Sequence, residues 1–306
     1  MPEALRVLLP AFIYVFLYVL FQYGGVLMYR HLKASGPAFI SAFLRERPGV
    51  STAVIIVLST AAALFPVLRE GKRRLDAFGK RKGKPAPRGE ERGAERESGT
   101  DWESGADRES RAERESRAER EKKTGKTIPV WALLMVCACA LCILGNAQIE
   151  VMGLASDSVA AMQPIYRELS FPVILLIFAV FTPFAEEFVF RGLLYTGFRR
   201  SLSPLYSILL GGILFGLYHG ELIQGTYAFL IGMFFCLSME VTGDLRMPWL
   251  LHGLSNGLPL CLSYLGIWEP FLLREGRLGT FACLLIAAGG LAAYMLRTKR
   301  ARNPEA

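Results

Sequence analysis

The sequence predicts an all-α, polytopic membrane protein with about eight transmembrane helices. Three observations point to that class. Hydrophobic residues make up 52% of the 306-residue chain and its mean hydropathy is positive, a balance beyond what a soluble globule needs. Apolar runs long enough to cross a bilayer recur along the chain. Lys and Arg gather beside the ends of those runs, as they do where helices leave a membrane.

In chain order the candidate spans are 7–29, 51–68, 128–147, 171–198, 206–220, 226–241, 247–265 and 279–296. The first lacks the basic start and small-residue cleavage site of a signal peptide, and its apolar core is too long for one. It is therefore expected to stay attached. The formal charge of +8 is unevenly placed: residues 69–88, just after the second span, hold nine basic and two acidic side chains. Keeping that segment in the cytoplasm puts both termini there, together with Arg199, Arg200, Arg246, Arg297, Lys299, Arg300 and Arg302. The loop with Arg30, Lys33, Arg45 and Arg47 is left outside, against the trend. The expected location is the cell membrane, with membrane lipids as surroundings and no nucleic-acid partner.

Three parts follow from this reading. Residues 1–68 form an N-terminal helix pair, 69–127 a charged low-complexity cytoplasmic linker, and 128–306 a membrane domain with a short basic tail. From Glu95 the linker runs ERESGT, DWESGA, DRESRA, ERESRA, EREKKT. A six-residue period matches neither a helix face nor a coiled-coil seam, and almost nothing in it can be buried. Disorder or a transient charged helix is expected, with a basic stretch from Lys72 to Lys84 suited to anionic headgroups.

The six cysteines, Cys137, Cys139, Cys142, Cys236, Cys261 and Cys283, all fall in predicted spans, where cysteine behaves as a small hydrophobe. The spacing from Cys139 to Cys142 lacks the flanking strand that a redox motif requires. Small residues four apart, Gly212, Gly216 and Gly220 in one span and Gly253 and Gly257 in another, allow close helix approach. These glycines flank two of the three histidines, His219 and His252, while His31 sits among basic residues at a helix end.

The strongest chemical signal is Glu186-Glu187 with Arg191, inside an apolar span. One ionised side chain at the centre of a membrane helix costs about 2.5–3.5 kcal/mol on insertion scales, so three in six positions require a reason. Glu187 and Arg191 are four apart and are expected to pair. Glu186 is turned about 100° away and is left free to act. Pro183 cannot donate to the carbonyl of Ala179, so a kink that admits water is expected just upstream. His252 and Asn256, again four apart, offer two donors on one face, suited to the oxyanion of an attacked carbonyl. A Glu–His couple can take a proton from water as it attacks a peptide carbonyl. The pattern therefore predicts an intramembrane catalytic cavity built by Glu186, His219, His252 and Asn256, supported by Glu187 and Arg191. Neither a nucleophile elbow nor a His-Glu-x-x-His zinc helix is present.

Over about 171–265 these residues resemble the CAAX protease and bacteriocin-processing family, which includes type II CAAX prenyl endopeptidases. The resemblance lies in Glu-Glu-x-x-x-Arg at Glu186, Glu187 and Arg191, Phe-x-x-x-His at Phe215 and His219, and His-x-x-x-Asn at His252 and Asn256. It implies an eight-helix, metal-independent glutamic endopeptidase of peptide or membrane-associated protein substrates. In that scheme Glu186 and His219 activate water, and His252 and Asn256 form the oxyanion hole. The charged repeat has no counterpart in the resemblance, and the chain does not end in a Cys-a-a-X box. Two alternatives stand beside it. One is a zinc protease in which Glu186, His219 and His252 hold the metal, and the other is a non-enzymatic membrane scaffold or immunity protein that grips a peptide with the same cluster.

Overall fold

The structure, a computed structural model, describes residues 3–82, 130–151 and 157–267. All regular structure in them is helical: α1 (Glu3–Ser35), α2 (Ala38–Glu46), α3 (Pro48–Leu64), α4 (Leu68–Lys82), α5 (Val130–Val151), α6 (Asp157–Glu168), α7 (Phe171–Phe198), α8 (Pro204–Tyr218), α9 (Leu222–Thr242) and α10 (Arg246–Tyr264). Four helical stretches among the described residues are long and apolar enough to cross a membrane, namely Leu5–Ser35, Pro48–Arg81, Phe171–Phe198 and Gln224–Thr242. Helices α5 and α8 carry shorter apolar stretches, Trp131–Ile143 and Pro204–Tyr218. These four do not establish the predicted total of eight spans. The last predicted span, 279–296, lies outside the described residues. Helix α10 forms where a span was expected but carries Arg246, His252, Ser255 and Asn256, and this polar load keeps it out of the apolar group.

The first residues of the charged segment after α3 are helical. Residues Phe65–Val67 make a tight turn of helix that passes α3 into α4 without a break. Helix α4 is amphipathic in an unusual way. Its inner face is Gly71, Arg74 and Phe78, while Arg69, Lys72, Arg73, Lys80 and Arg81 are exposed. Arg74 is buried and its guanidinium donates to the carbonyls of Arg6 (2.7 Å), Val7 (3.2 Å) and Leu193 (2.7 Å) while pairing with Glu70. One arginine thereby ties α4 to α1 and α7. The repeat from Glu95 lies outside the described residues.

Helix α7 is the centre of the bundle, and its winding is irregular. Two stretches, Leu176–Phe181 and Phe188–Tyr195, adopt the wider π-helical turn, and the short α-helical piece Thr182–Glu187 between them carries both glutamates. The kink expected at Pro183 takes this form: the proline lacks an N–H, and the turn before it widens. Carbonyls there accept from α10 instead, Phe178 from Asn256 Nδ2 (3.1 Å) and Val180 from Trp249 Nε1 (3.0 Å). Gly253 lies directly against the carbonyl of Ala179, where any Cβ would collide. Gly216 and Gly225 likewise bring α8 and α9 together, a Cβ on Gly216 falling 2.6 Å from the Gly225 carbonyl. Gly220 has a different use. With φ of +72° it ends α8 in a left-handed turn immediately after His219.

Candidate active site

Glu187 and Arg191 are both fully buried, and Arg191 Nη1 donates to Glu187 Oε1 at 2.6 Å. The guanidinium also donates through Nη2 to the carbonyl of Gly232 (2.9 Å). It lies over the rings of Phe215 (4.5 Å) and Phe235 (5.2 Å), so its charge meets a carboxylate, a carbonyl and two π faces, while its Nε is buried without a hydrogen-bond partner. This is the pairing that four-residue spacing predicts.

The same Glu187 oxygen receives a second hydrogen bond, from His252 Nδ1 at 2.7 Å. A carboxylate in an ion pair only accepts, so Nδ1 carries the proton and the ring is fixed with Nε2 pointing the other way. Nε2 lies 3.7 Å from Glu186 Oε2. That separation is too long for a hydrogen bond and short enough to close in a complex. Phe235 stacks on the imidazole at 5.1 Å, and Phe215 meets it edge-on at 5.6 Å. His252 thus bridges the two glutamates: one orients it and the other faces its free nitrogen.

His219 follows the last residue of α8, where the left-handed Gly220 turns the chain away. Its Nδ1 donates to the carbonyl of Phe215 (2.8 Å), one turn back on its own helix, which leaves Nε2 as the ring atom open to exchange. Asn256, one turn beyond His252, spends one N–H on Phe178 and keeps the second. His219, His252 and Asn256 line one partly open cavity of about 80 Å³, together with Phe215, Ala228, Ile231 and Phe235. Such a polar space has room for water. Glu186 is not among the residues lining the cavity. It is reached through His252, and it interacts electrostatically with His219 as well. His31 is exposed on α1 and has no part in this cluster.

Residues 168–258 match the family model described as type II CAAX prenyl endopeptidase Rce1-like. Over that segment the chain is similar to Rce1-like endopeptidases. The Rce1-like segment contains Glu186, Glu187, Arg191, His219, His252 and Asn256, and helices α1 to α5 lie outside it. No curated protein and no solved structure gives a match. With its apolar helices, the similarity makes this an integral membrane protein.

Some residues of the site were not anticipated. Gln224 and Tyr227 of α9 and Ser255 of α10 share the cavity wall. Cys142 of α5 donates to the carbonyl of Ser255 (2.8 Å), anchoring the helix that carries His252 and Asn256. The cysteines among the described residues are all unbridged thiols. A glutamine in the first turn of an apolar helix is the one sequence signal that Gln224 offered.

Proposed function

We propose that the chain is an intramembrane endopeptidase that hydrolyses a peptide bond with activated water and without a covalent intermediate. The observation that carries this reading is the shared cavity of His219, His252 and Asn256, with His252 held between Glu187 and Glu186. Similarity to Rce1-like endopeptidases over the same residues supports it, and peptides ending in a prenylated Cys-aliphatic-aliphatic-X box are the substrate class it suggests.

In this mechanism Glu186 accepts a proton from water while His219 Nε2 orients it, and the water oxygen attacks the scissile carbonyl carbon. Negative charge that develops on the carbonyl oxygen is met by the second N–H of Asn256 and by His252 Nε2–H. Glu187 balances the imidazolium through Nδ1. The C–N bond then breaks, the leaving amine takes the proton back from Glu186, and two peptides are released. Arg191 fixes Glu187, so the His252 donor is built on one ion pair, while Asn256 is held by the Phe178 carbonyl. The reading is metal-independent.

The test uses the purified protein in proteoliposomes with a fluorogenic farnesylated Cys-aliphatic-aliphatic-X peptide and its unprenylated counterpart. Cleavage is expected, with Glu186→Gln and His219→Ala each reducing kcat at least about a hundredfold, and with chelators leaving the rate unchanged. Cleavage of neither peptide, or full activity in Glu186→Gln, overturns the reading. Loss of activity on chelation with recovery on adding Zn²⁺ would assign the same residues to a metal instead.

A further inference from the structure

Polar groups from three helices line the cavity, and most of them are already committed. His219 and His252 each spend Nδ1, on the Phe215 carbonyl (2.8 Å) and on Glu187 (2.7 Å). Asn256 gives one N–H to the Phe178 carbonyl (3.1 Å), and the Ser255 hydroxyl donates to the Leu251 carbonyl (2.9 Å). Tyr227 lays its ring against α5, where a Cβ on Gly145 would collide with it. Gln224 differs. Its half-buried side chain lines the same cavity and makes no hydrogen bond among the described residues. Polar side chains in membrane helices ordinarily reach across to a neighbouring helix, because an amide left without a partner in an apolar bundle is costly.

The backbone fixes where Gln224 sits. Helix α8 ends at Tyr218, His219 caps it, the left-handed Gly220 turns the chain, and Gln224 falls in the first turn of α9. Its neighbour Gly225 lies tight against α8: a Cβ on Gly225 would fall 2.9 Å from the Gly216 carbonyl oxygen. His219 and Gln224 therefore stand on the two arms of one close hairpin, and both reach the cavity from it. Helix α10 supplies His252 and Asn256 to the same space.

A carboxamide carries one acceptor oxygen and two N–H donors. In an extended peptide the N–H and C=O of one residue point to the same side, as in the bonded pairs of an antiparallel sheet. A single carboxamide can accept from the first and donate to the second. In the reaction proposed above His252 and Asn256 meet only the oxygen of the scissile carbonyl, so the chain beside it needs a separate hold to stay in line for attack.

We propose that Gln224 is a substrate-binding residue whose carboxamide pairs with the N–H and C=O of one extended substrate residue next to the scissile bond. What it reads is peptide backbone, so it orients the chain without selecting a side chain. The proposal rests on the peptidase reading above and adds α9 to the elements that touch substrate.

The experiment measures cleavage of the farnesylated peptide in proteoliposomes by the wild type, Gln224→Leu, Glu186→Gln and, as a control, Thr226→Val. Thr226 lies on the same turn but is exposed, with its hydroxyl spent on the Leu222 carbonyl (2.7 Å). Each peptide bond that is not cleaved is replaced in turn by an ester, which removes one backbone N–H. Gln224→Leu is expected to lower kcat/KM about tenfold on the all-amide peptide, mainly through KM, with an unchanged melting temperature. At one ester position the wild type should lose about threefold to tenfold and Gln224→Leu nothing further, the mark of a direct contact. Thr226→Val should match the wild type throughout. Wild-type kcat/KM in Gln224→Leu, or ester penalties equal in the two proteins at every position, overturns the proposal. So does activity lost only in proportion to melting temperature. Any of these results beside an inactive Glu186→Gln leaves the proposed reaction standing. An active Glu186→Gln overturns the reaction itself, and the ester comparison then still decides whether Gln224 holds the peptide.

Discussion

Two adjacent glutamates differ because of what each one touches. Glu187 accepts from both Arg191 and His252 and is sealed from solvent, whereas Glu186 approaches His252 Nε2 at 3.7 Å, beyond hydrogen-bond length. Substitution by glutamine should separate the two in stability. Glu187→Gln leaves the Arg191 charge buried against Phe215, Phe235 and a carbonyl with no counter-ion, and breaking such a pair costs about 3–5 kcal/mol. Glu186→Gln removes no ion pair of that quality and is expected to stay within about 1 kcal/mol of the wild type while losing activity. Thermal unfolding of the detergent-solubilised variants reads this directly. Equal melting temperatures for the two would mean that Glu187 carries no structural load. The distinction rests on a four-residue spacing that was legible in the sequence, because helix geometry makes positions 187 and 191 neighbours. The bond from His252 was not legible, since it joins helices 65 positions apart.

At the level of elements, the site depends on how closely α10 can lie against the π-wound part of α7. Gly253 touches the Ala179 carbonyl, while a Cβ on Gly257 would meet only the Ala179 methyl at 3.2 Å. Gly253→Ala is therefore expected to push α10 off α7, breaking the Asn256–Phe178 bond, costing about 1–3 kcal/mol and abolishing cleavage. Gly257→Ala should be far milder in both melting temperature and kcat, and a comparable loss in the two would mean that close packing here is not what places His252 and Asn256. The glycine spacing predicted close approach, but the partner and the reason were hidden. Periodicity arguments assume 3.6 residues per turn, so Pro183 announced a disturbance without revealing two π stretches. Helix α4 was obscured for the opposite reason: its inner face includes an arginine, and a charged composition read residue by residue looks solvated throughout.

For the molecule as a whole, the placement of charge carries the orientation expected from the sequence. One end of the bundle collects Arg6, the exposed face of α4, Arg199 and Arg200. It is drawn together by the Arg74 contacts to α1 and α7, by Arg81 donating to the Arg199 carbonyl (3.3 Å) and by the Arg199–Glu240 ion pair (3.0 Å). The other end holds Arg30, Lys33, Arg45 and Arg47, where the exposed Arg45 donates to the carbonyl of Lys33 and Lys33 donates to the hydroxyl of Tyr29. Because α4 is a packed continuation of α3 and not a free tether, its lysines and arginines are held at this end of the bundle, and the positive-inside bias predicts that this end is cytoplasmic. Single cysteines test the result in a variant whose native cysteines are replaced by alanine or serine. Lys80→Cys, on the exposed face of α4, is expected to react with a membrane-impermeant maleimide only after the cytoplasmic face is opened. Glu46→Cys, exposed at the end of α2, should react in intact cells. The reverse labelling pattern would show that α4 faces outward, and the basic end of the bundle would then need a binding role to account for its charge.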